Sequence, residues 1–375
     1  MLTFFRKIRV CLVNAGSAKK YVLYAVGEIL LVMVGILLAL QVNNWNERRK
    51  KEQAEIQLYS KILSDLNSEL AVIENKIYHL KSHQNLHFQL YKESRGQAEY
   101  DPTTNYKDLY TYSPAKLFFQ ENHSQSLPLL EDEETHNLLR SYIDQEKITT
   151  TSNEDWNNVK TEQVRPFLNK YGIKNTDAVF RVQSLDDWPA VGYTSLISYP
   201  RLVEQYGSLE FDQLLYELRI YTTWSLHHYN LLKEANREFE HFLSNKIGIE
   251  KLSVDHEGSS LPLALLFEDN SIDEVIAFIR EEDKENSLYD ISEPALTNLG
   301  YSLITNRELS DAKRIFEIGI ELYPDAYNLY DSYGECLIKL KEYESAAEAF
   351  NKALELNPES FNSERLLEYL RTRNN

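Results

Sequence analysis

A run of twenty residues near the N-terminus, positions 21–40, contains a single charged side chain, Glu28. At about 1.5 Å per residue, a helix of this length spans about 30 Å, the thickness of the hydrocarbon layer of a bilayer. A cleaved signal peptide has a shorter apolar region, of about 7 to 15 residues, and a small-residue cleavage site, which does not follow here. The run therefore predicts a transmembrane helix over residues 21–42.

Basic residues lie on both sides of this run, five of them in residues 1–20 and four in residues 48–51. The leader, residues 1–20, mixes apolar and basic positions as a helix lying on anionic lipid does, and a flexible basic tail is the alternative. The distribution of basic residues favours an N-terminus inside and a large C-terminal body outside. In a bacterium with two membranes, this predicts the inner (cytoplasmic) membrane and a periplasmic body.

Small residues recur along one side of the predicted membrane helix, at Gly27, Gly35 and Ala39, and Glu28 lies beside them. A small-xxx-small pair such as Gly35 and Ala39 lets a second helix approach closely. A carboxylate facing lipid is costly, so Glu28 is expected to face a partner helix or water, or to stay protonated. Two interpretations stay open: a transmembrane seam for a homo-oligomer or a partner, and an acid tolerated near the headgroups beside the basic leader.

The segment GEILLVMVGILLALQVNNWNE, residues 27–47, combines a Gly-Glu-Ile start, a Gly-Ile-x-x-Ala-Leu-Gln centre and an Asn-Asn-Trp-Asn exit. In these features it resembles a family of single-pass membrane proteins of Bacteroidota bacteria whose activity is unknown. The resemblance is specific over about 25 residues. It implies a membrane anchor followed by a helical domain, and it implies no activity.

Residues 43–250 are predicted to form a helical bundle or coiled-coil stalk. Apolar residues recur in steps of three and four from Ile56 to Leu80, which indicates one helix continuing from the membrane exit to Arg95. Two further helical stretches, residues 127–171 with a break and residues 209–247, have apolar stripes of their own. Three amphipathic helices cannot bury these stripes alone, so an antiparallel bundle is expected. Such a bundle can be a spacer or can sense a ligand.

Residues 260–375 contain an internal repeat with a period of 34 residues. Leu296, Leu299, Gly300, Leu303, Ala312, Phe316, Leu322 and Pro324 recur as Tyr330, Tyr333, Gly334, Leu337, Ala346, Phe350, Leu356 and Pro358. This period and these residue types resemble the tetratricopeptide repeat, in which small residues let paired helices touch. Two repeats are too few for a stable stack, so residues 271–282 are interpreted as a degenerate first repeat and residues 361–373 as a terminal cap.

The resemblance implies a partner-binding groove on the concave face of the repeats. That groove would present Thr297, Tyr301 and Ile304 from one repeat and Asn328, Asp331, Glu335, Ile338 and Lys339 from the next. Its acidic and aromatic character is expected to favour a neutral or basic partner segment. The alternative is that the repeats only pack against the stalk.

Catalytic and metal-binding motifs are scarce in this sequence. It has no HExxH, GxSxG, Walker, GxGxxG or CxxC pattern. His79, His83 and His87 share one helix face and are weak candidates for a metal site, but no carboxylate lies three or four residues away on that face. A solvated stripe is the alternative, and we expect no metal and no cofactor.

The net charge of -18 repels phosphate backbones, which argues against nucleic-acid binding.

Together these patterns predict an all-α protein with a basic leader, one transmembrane helix, a helical bundle and a C-terminal tetratricopeptide solenoid. The predicted function is a membrane-anchored scaffold that recruits a protein or peptide partner through the repeat groove. The alternative is a ligand-sensing receptor that signals through the membrane helix. No enzymatic function is expected.

Overall fold

The computed structural model describes residues 18–111, 116–130, 132–180, 196–248, 263–268, 270–282, 287 and 289–373. Within these ranges the chain forms no β-strand, and Lys174 and Ile197 form an isolated β-bridge. The predicted all-α class is therefore confirmed. Most of the predicted leader, residues 1–17, lies outside the described residues.

The helices, numbered in chain order, are α1 Ala18–Ser94, α2 Phe119–His123, α3 Glu133–Val159, α4 Arg165–Lys170, α5 Thr176–Phe180, α6 Tyr199–Val203, α7 Leu209–Ile247, α8 Ile272–Glu281, α9 Glu293–Asn306, α10 Leu309–Leu322, α11 Tyr327–Leu340, α12 Tyr343–Leu356 and α13 Phe361–Arg373. The chain divides into two compact units, Met1–Ile62 and Leu63–Asn375.

The first unit contains the N-terminal part of α1, which is long and apolar enough to cross a membrane. Its large apolar side chains from Val26 to Val42 are all at least half exposed, as a lipid-facing segment requires. α1 continues without a break through the predicted boundary between membrane helix and bundle and ends at Ser94, close to the predicted end at Arg95. Gly96 follows with a left-handed φ of 66°.

The second unit begins with a bundle of α1, α3 and α7. Asn236 on α7 donates to the Leu66 carbonyl of α1, whereas Gln84, farther along α1, donates to Thr223, earlier on α7. α7 is therefore antiparallel to α1. Trp156 on α3 donates to Thr222 of α7 at 2.9 Å, which joins the third helix to the pair.

α3 ends in a π-helical turn over Lys160–Val164 and continues as α4, which is the break predicted in this stretch. Pro166 explains the turn, because proline has no N–H to continue the helical hydrogen-bond series and its ring disturbs the preceding turn. Ser208 caps the start of α7 by accepting a hydrogen bond from the backbone of Phe211, and Gly248 ends it with a φ of 70°.

Helices α9 to α12 form two helix pairs related by the predicted period, since α9 and α11 and likewise α10 and α12 begin 34 residues apart. A Cβ on Gly300 would lie 2.4 Å from the Phe316 ring, and one on Gly334 would lie 2.6 Å from the Phe350 ring. These contacts confirm that the glycines let the paired helices touch. α8 starts with a capping box and packs in the same core as α9 and α10, and α13 covers the last pair.

Candidate functional site in the repeat groove

The predicted groove residues lie on α9 and α11, the first helices of the two repeats. Asn328 is exposed, Ile338 is buried and the remaining six are half-buried. Tyr301 Oη donates to Glu335 Oε2 at 3.3 Å, which links the two repeats across the groove. The structure therefore brings these residues to one face.

The two groove acids are held by the capping helix α13. Asn362 Nδ2 lies 2.8 Å from Asp331 Oδ2 and 2.7 Å from Glu335 Oε1, and Ser363 Oγ donates to the other oxygen of Asp331. Burial, reinforced by the charge of Asp331, raises the pKa of Glu335 to about 7. Burial likewise raises the pKa of Asp331. The groove is therefore less negative at neutral pH than its sequence indicates.

A short non-helical part of the chain, residues 99–103, lies against the same face and is named the groove segment. Lys339 Nζ donates to Asp101 Oδ2 at 3.0 Å, and Arg365 of α13 donates to the Pro102 carbonyl at 3.0 Å. Burial opposes ionisation of Asp101, but Lys339 and the donors of Thr103 outweigh it, so the pKa of this carboxyl is lowered. The groove segment thus presents an ionised carboxylate to a lysine and a carbonyl to an arginine.

α1 also contacts the repeats, at the C-terminal end of α9. Lys81 Nζ donates to Asn306 Oδ1 at 3.0 Å, and Asn85 Nδ2 donates to the Thr305 carbonyl at 2.8 Å. The repeats therefore pack against the bundle, and both interpretations of the groove, binding of a partner and packing alone, stay predictions. The sequence did not predict the contacts of Lys339 with Asp101 and of Arg365 with Pro102, because no local sequence pattern indicates them.

The predicted histidine stripe lies in the bundle and not in solvent. His83 and His87 are 3% and 2% exposed, so the interpretation as a solvated stripe is wrong for these two. His83 contacts Trp156 and Lys160 of the α3 region, and the His87 ring lies beside that of His83, because the stripe continues the core-facing side of α1. Among the described residues, no group of three or more His, Cys, Asp or Glu side chains is arranged to hold a metal ion.

The predicted transmembrane seam stays a prediction. A Cβ on Gly27 or on Gly35 would meet no atom of this chain's described residues within 4 Å, so the side of the helix that they form is open. Ala39 is exposed and Glu28 is half-buried.

In the part of the chain that the structure describes, these features define an all-α protein with one helix long and apolar enough to span a membrane and a C-terminal helical-repeat module. Residues 28–94 match the family model of a family of unknown function, DUF6090, and residues 327–360 match the tetratricopeptide repeat. The first match covers α1 from Glu28 to its end, and the second covers α11 and α12. Both resemblances read from the sequence are thereby confirmed. No curated protein and no solved structure matches the chain.

Proposed function

We propose that the protein is a membrane-anchored scaffold that recruits a protein or peptide partner through its tetratricopeptide groove. Tetratricopeptide repeats generally mediate contacts between proteins, and the apolar part of α1 supplies a possible membrane anchor. The anchor would lie in the bacterial inner membrane with the repeats on the periplasmic side. The role is one of binding and not of catalysis.

The observation that carries this proposal is the groove segment, because its contacts are of the kind that a bound peptide would make. Lys339 takes a carboxylate there and Arg365 takes a main-chain carbonyl. Both are recognition contacts that a partner peptide with an acidic side chain can reproduce. A partner segment would therefore replace residues 99–103.

The expected chemistry of the partner changes accordingly. The sequence favoured a neutral or basic partner because Asp331 and Glu335 were treated as free charges. The hydrogen bonds from Asn362 occupy these acids, and the cations Lys339 and Arg365 remain to contact the incoming segment. An acidic segment is the better match.

Photocrosslinking tests this function. A photoreactive amino acid at Asn328, which is exposed in the groove, should give a covalent adduct of defined mass in solubilised native membranes. The matched control is Glu348, exposed on α12 away from the groove, and it should give no such adduct. An excess of a synthetic peptide spanning residues 97–105 should remove the adduct. Adducts of equal yield from both positions, or adducts insensitive to the peptide, would contradict groove binding.

A second candidate function is ligand sensing by the bundle. It is favoured by a specific observation, the convergence of buried polar side chains between α1, α3 and α7. Lys76, His83 and His87 contribute from α1, and Lys160 contributes from the π-helical turn.

A further inference from the structure

The groove segment is part of a loop whose base is held by the buried carboxylate of Glu93, in the last turn of α1. Tyr106 Oη donates to Glu93 Oε1 at 2.8 Å and closes the loop. Tyr199 and Tyr206 donate to Glu93 Oε2 at 3.1 and 2.6 Å. Because none of these bonds involves the groove segment, the rings of Tyr106 and Tyr199 are held in place whether or not the segment is bound.

Tyr100 of the groove segment lies in a pocket of three aromatic rings, which we name the aromatic pocket. Its ring centre lies 4.2 Å from that of Tyr199 and 5.8 Å from that of Tyr106, on which it stacks. The edge of the third ring, Tyr369 of α13, lies against it at 6.5 Å. Such contacts between aromatic rings stabilise a complex beyond the area that they bury. They are made by the ring of Tyr100, so a phenylalanine would fill the pocket equally well.

Asp101, the next residue, presents its carboxylate in a fixed orientation. Thr103 donates to Asp101 Oδ1 through its backbone N–H at 2.9 Å and through its hydroxyl at 2.6 Å. This is a turn that aspartate forms with its own chain. The other oxygen, Oδ2, accepts from Lys339 Nζ at 3.0 Å. One oxygen therefore holds the turn, and the other is free to meet the lysine of the groove.

Pro102, the third residue in the row, is buried and offers its carbonyl to Arg365. Arg365 Nη1 donates to this carbonyl at 3.0 Å, and its Nη2 donates to Asn362 Oδ1 at 2.8 Å, which fixes the guanidinium. Arg365 Nε is buried and has no hydrogen-bond partner among the described residues. The groove segment thus leaves one donor of the guanidinium unused, and a segment with a further acceptor there would bind more tightly.

We infer that the groove recognises a partner segment in which an aromatic residue is followed directly by aspartate and proline. The aromatic pocket, Lys339 and Arg365 contact three consecutive residues of the groove segment, so they are spaced for one short peptide. Proline restricts the free peptide to few conformations and so lowers the entropic cost of binding. The inference rests on the proposed function and supplies the motif of its partner.

Fluorescence anisotropy of a fluorescein-labelled peptide spanning residues 97–105 tests the motif on the full-length protein in detergent micelles. The protein carries Asp101→Asn, which removes the ion pair of its own segment with Lys339 and leaves the groove unchanged. The peptide should bind saturably, and up to about fivefold more tightly than it binds the wild-type protein. Absence of saturable binding would overturn the inference.

Substitutions in the peptide test the aromatic position. A peptide with Tyr100→Ala should bind about tenfold more weakly, because it loses the ring contacts with the aromatic pocket. A peptide with Tyr100→Phe should bind as the parent does. The matched control is a peptide with Gln97→Ala, since Gln97 is exposed, and its affinity should not change. Equal affinities of the Tyr100→Ala peptide and the parent would overturn the motif.

The aspartate position is tested from both sides of the contact. A peptide with Asp101→Asn should bind up to about fivefold more weakly than the parent. In a protein that also carries Lys339→Met, the two peptides should bind equally, because the lysine that distinguishes them is absent. A difference that persists in this protein would show that Lys339 does not recognise the carboxylate and would contradict the inference.

These peptide measurements need no natural partner, so the motif and the proposed function can fail separately. A missing adduct at Asn328 would contradict the proposed function, whereas the peptide affinities would still report on the motif. An adduct that the parent peptide and the Tyr100→Ala peptide remove at equal concentrations would leave groove binding intact and overturn the motif.

Discussion

Gly334→Ala tests the close approach of α11 and α12, on which the repeat module depends. A Cβ at this position would lie 2.6 Å from two atoms of the Phe350 ring, whereas ordinary contacts begin at 3.4 Å. The ring is fully buried and has to move by roughly 0.8 Å, and overpacking of this kind costs about 1–3 kcal/mol. The higher helix propensity of alanine stabilises the helix by up to about 1 kcal/mol relative to glycine and offsets part of this cost. Because the Phe350 ring is fully buried, the cost should lie near the upper end of this range, so the expected net loss is about 1–2 kcal/mol.

Gly319→Ala is the matched control, since it lies in the same module. Its Cβ would lie 2.9 Å from Leu329 Cδ2, a single methyl group, so the conflict is smaller than at Gly334. The higher helix propensity of alanine should offset this smaller cost, and the change should be close to neutral. Urea titration of the full chain in micelles, followed by far-ultraviolet circular dichroism, measures the difference. Phe350→Leu should partly rescue Gly334→Ala, because it removes the atoms in conflict. A Gly334→Ala protein as stable as Gly319→Ala would refute the close-packing argument.

Three further predictions concern the other parts of the chain. Lys160→Met should raise the free energy of unfolding at pH 7, because burial lowers the pKa of Lys160 to about 7 and so makes the charged lysine costly in the folded protein. As the pH rises from 7 to 10 this cost disappears from the wild type, so the advantage of the variant should shrink by about 1.4 kcal/mol per pH unit. An advantage that stays constant in urea titrations over this range would contradict the prediction. Gly35→Leu and Glu28→Leu should both weaken self-association or partner retention in a membrane assay, and Glu28→Leu should do so by about 0.6–2 kcal/mol. Normal insertion with unchanged association would exclude the seam. Protease added to intact spheroplasts should degrade the C-terminal body, and its full protection would reverse the proposed orientation.

The elements that the sequence predicted well are those whose signal is periodic and local. The steps of three and four predicted the helix α1, and Gly96 with the turn residues after it placed the helix end within one residue. The 34-residue period placed both helix pairs. The same regularity could have located two core residues that were interpreted as solvated. Leu80, His83, His87 and Leu90 continue the spacing of the apolar stripe, so the two histidines occupy core positions of α1.

The groove segment could not be predicted, because its contacts join distant parts of the chain. Asp101 and Lys339 are separated by 238 residues, and the sequence around each gives no sign of the other. For the same reason the acids of the groove were interpreted as free, although Asn362 of the capping helix binds both. Local periodicity determines which face a residue lies on, whereas tertiary packing determines what occupies that face.

The central claim, that a partner replaces the groove segment, is tested most directly by substituting each member of the Asp101–Lys339 ion pair in turn. Asp101→Asn loosens the segment and leaves the groove intact, whereas Lys339→Met loosens the segment and also removes the groove's cation. Because a partly buried pair of this kind is worth about 1 kcal/mol or less, partner recovered by quantitative crosslinking should rise up to about fivefold in Asp101→Asn. In Lys339→Met the looser segment and the lost cation offset each other, so recovery should stay close to that of the wild type. Recovery that stays unchanged in both variants, or that changes in the same direction, would contradict the claim and leave the repeats as a structural cover of the bundle.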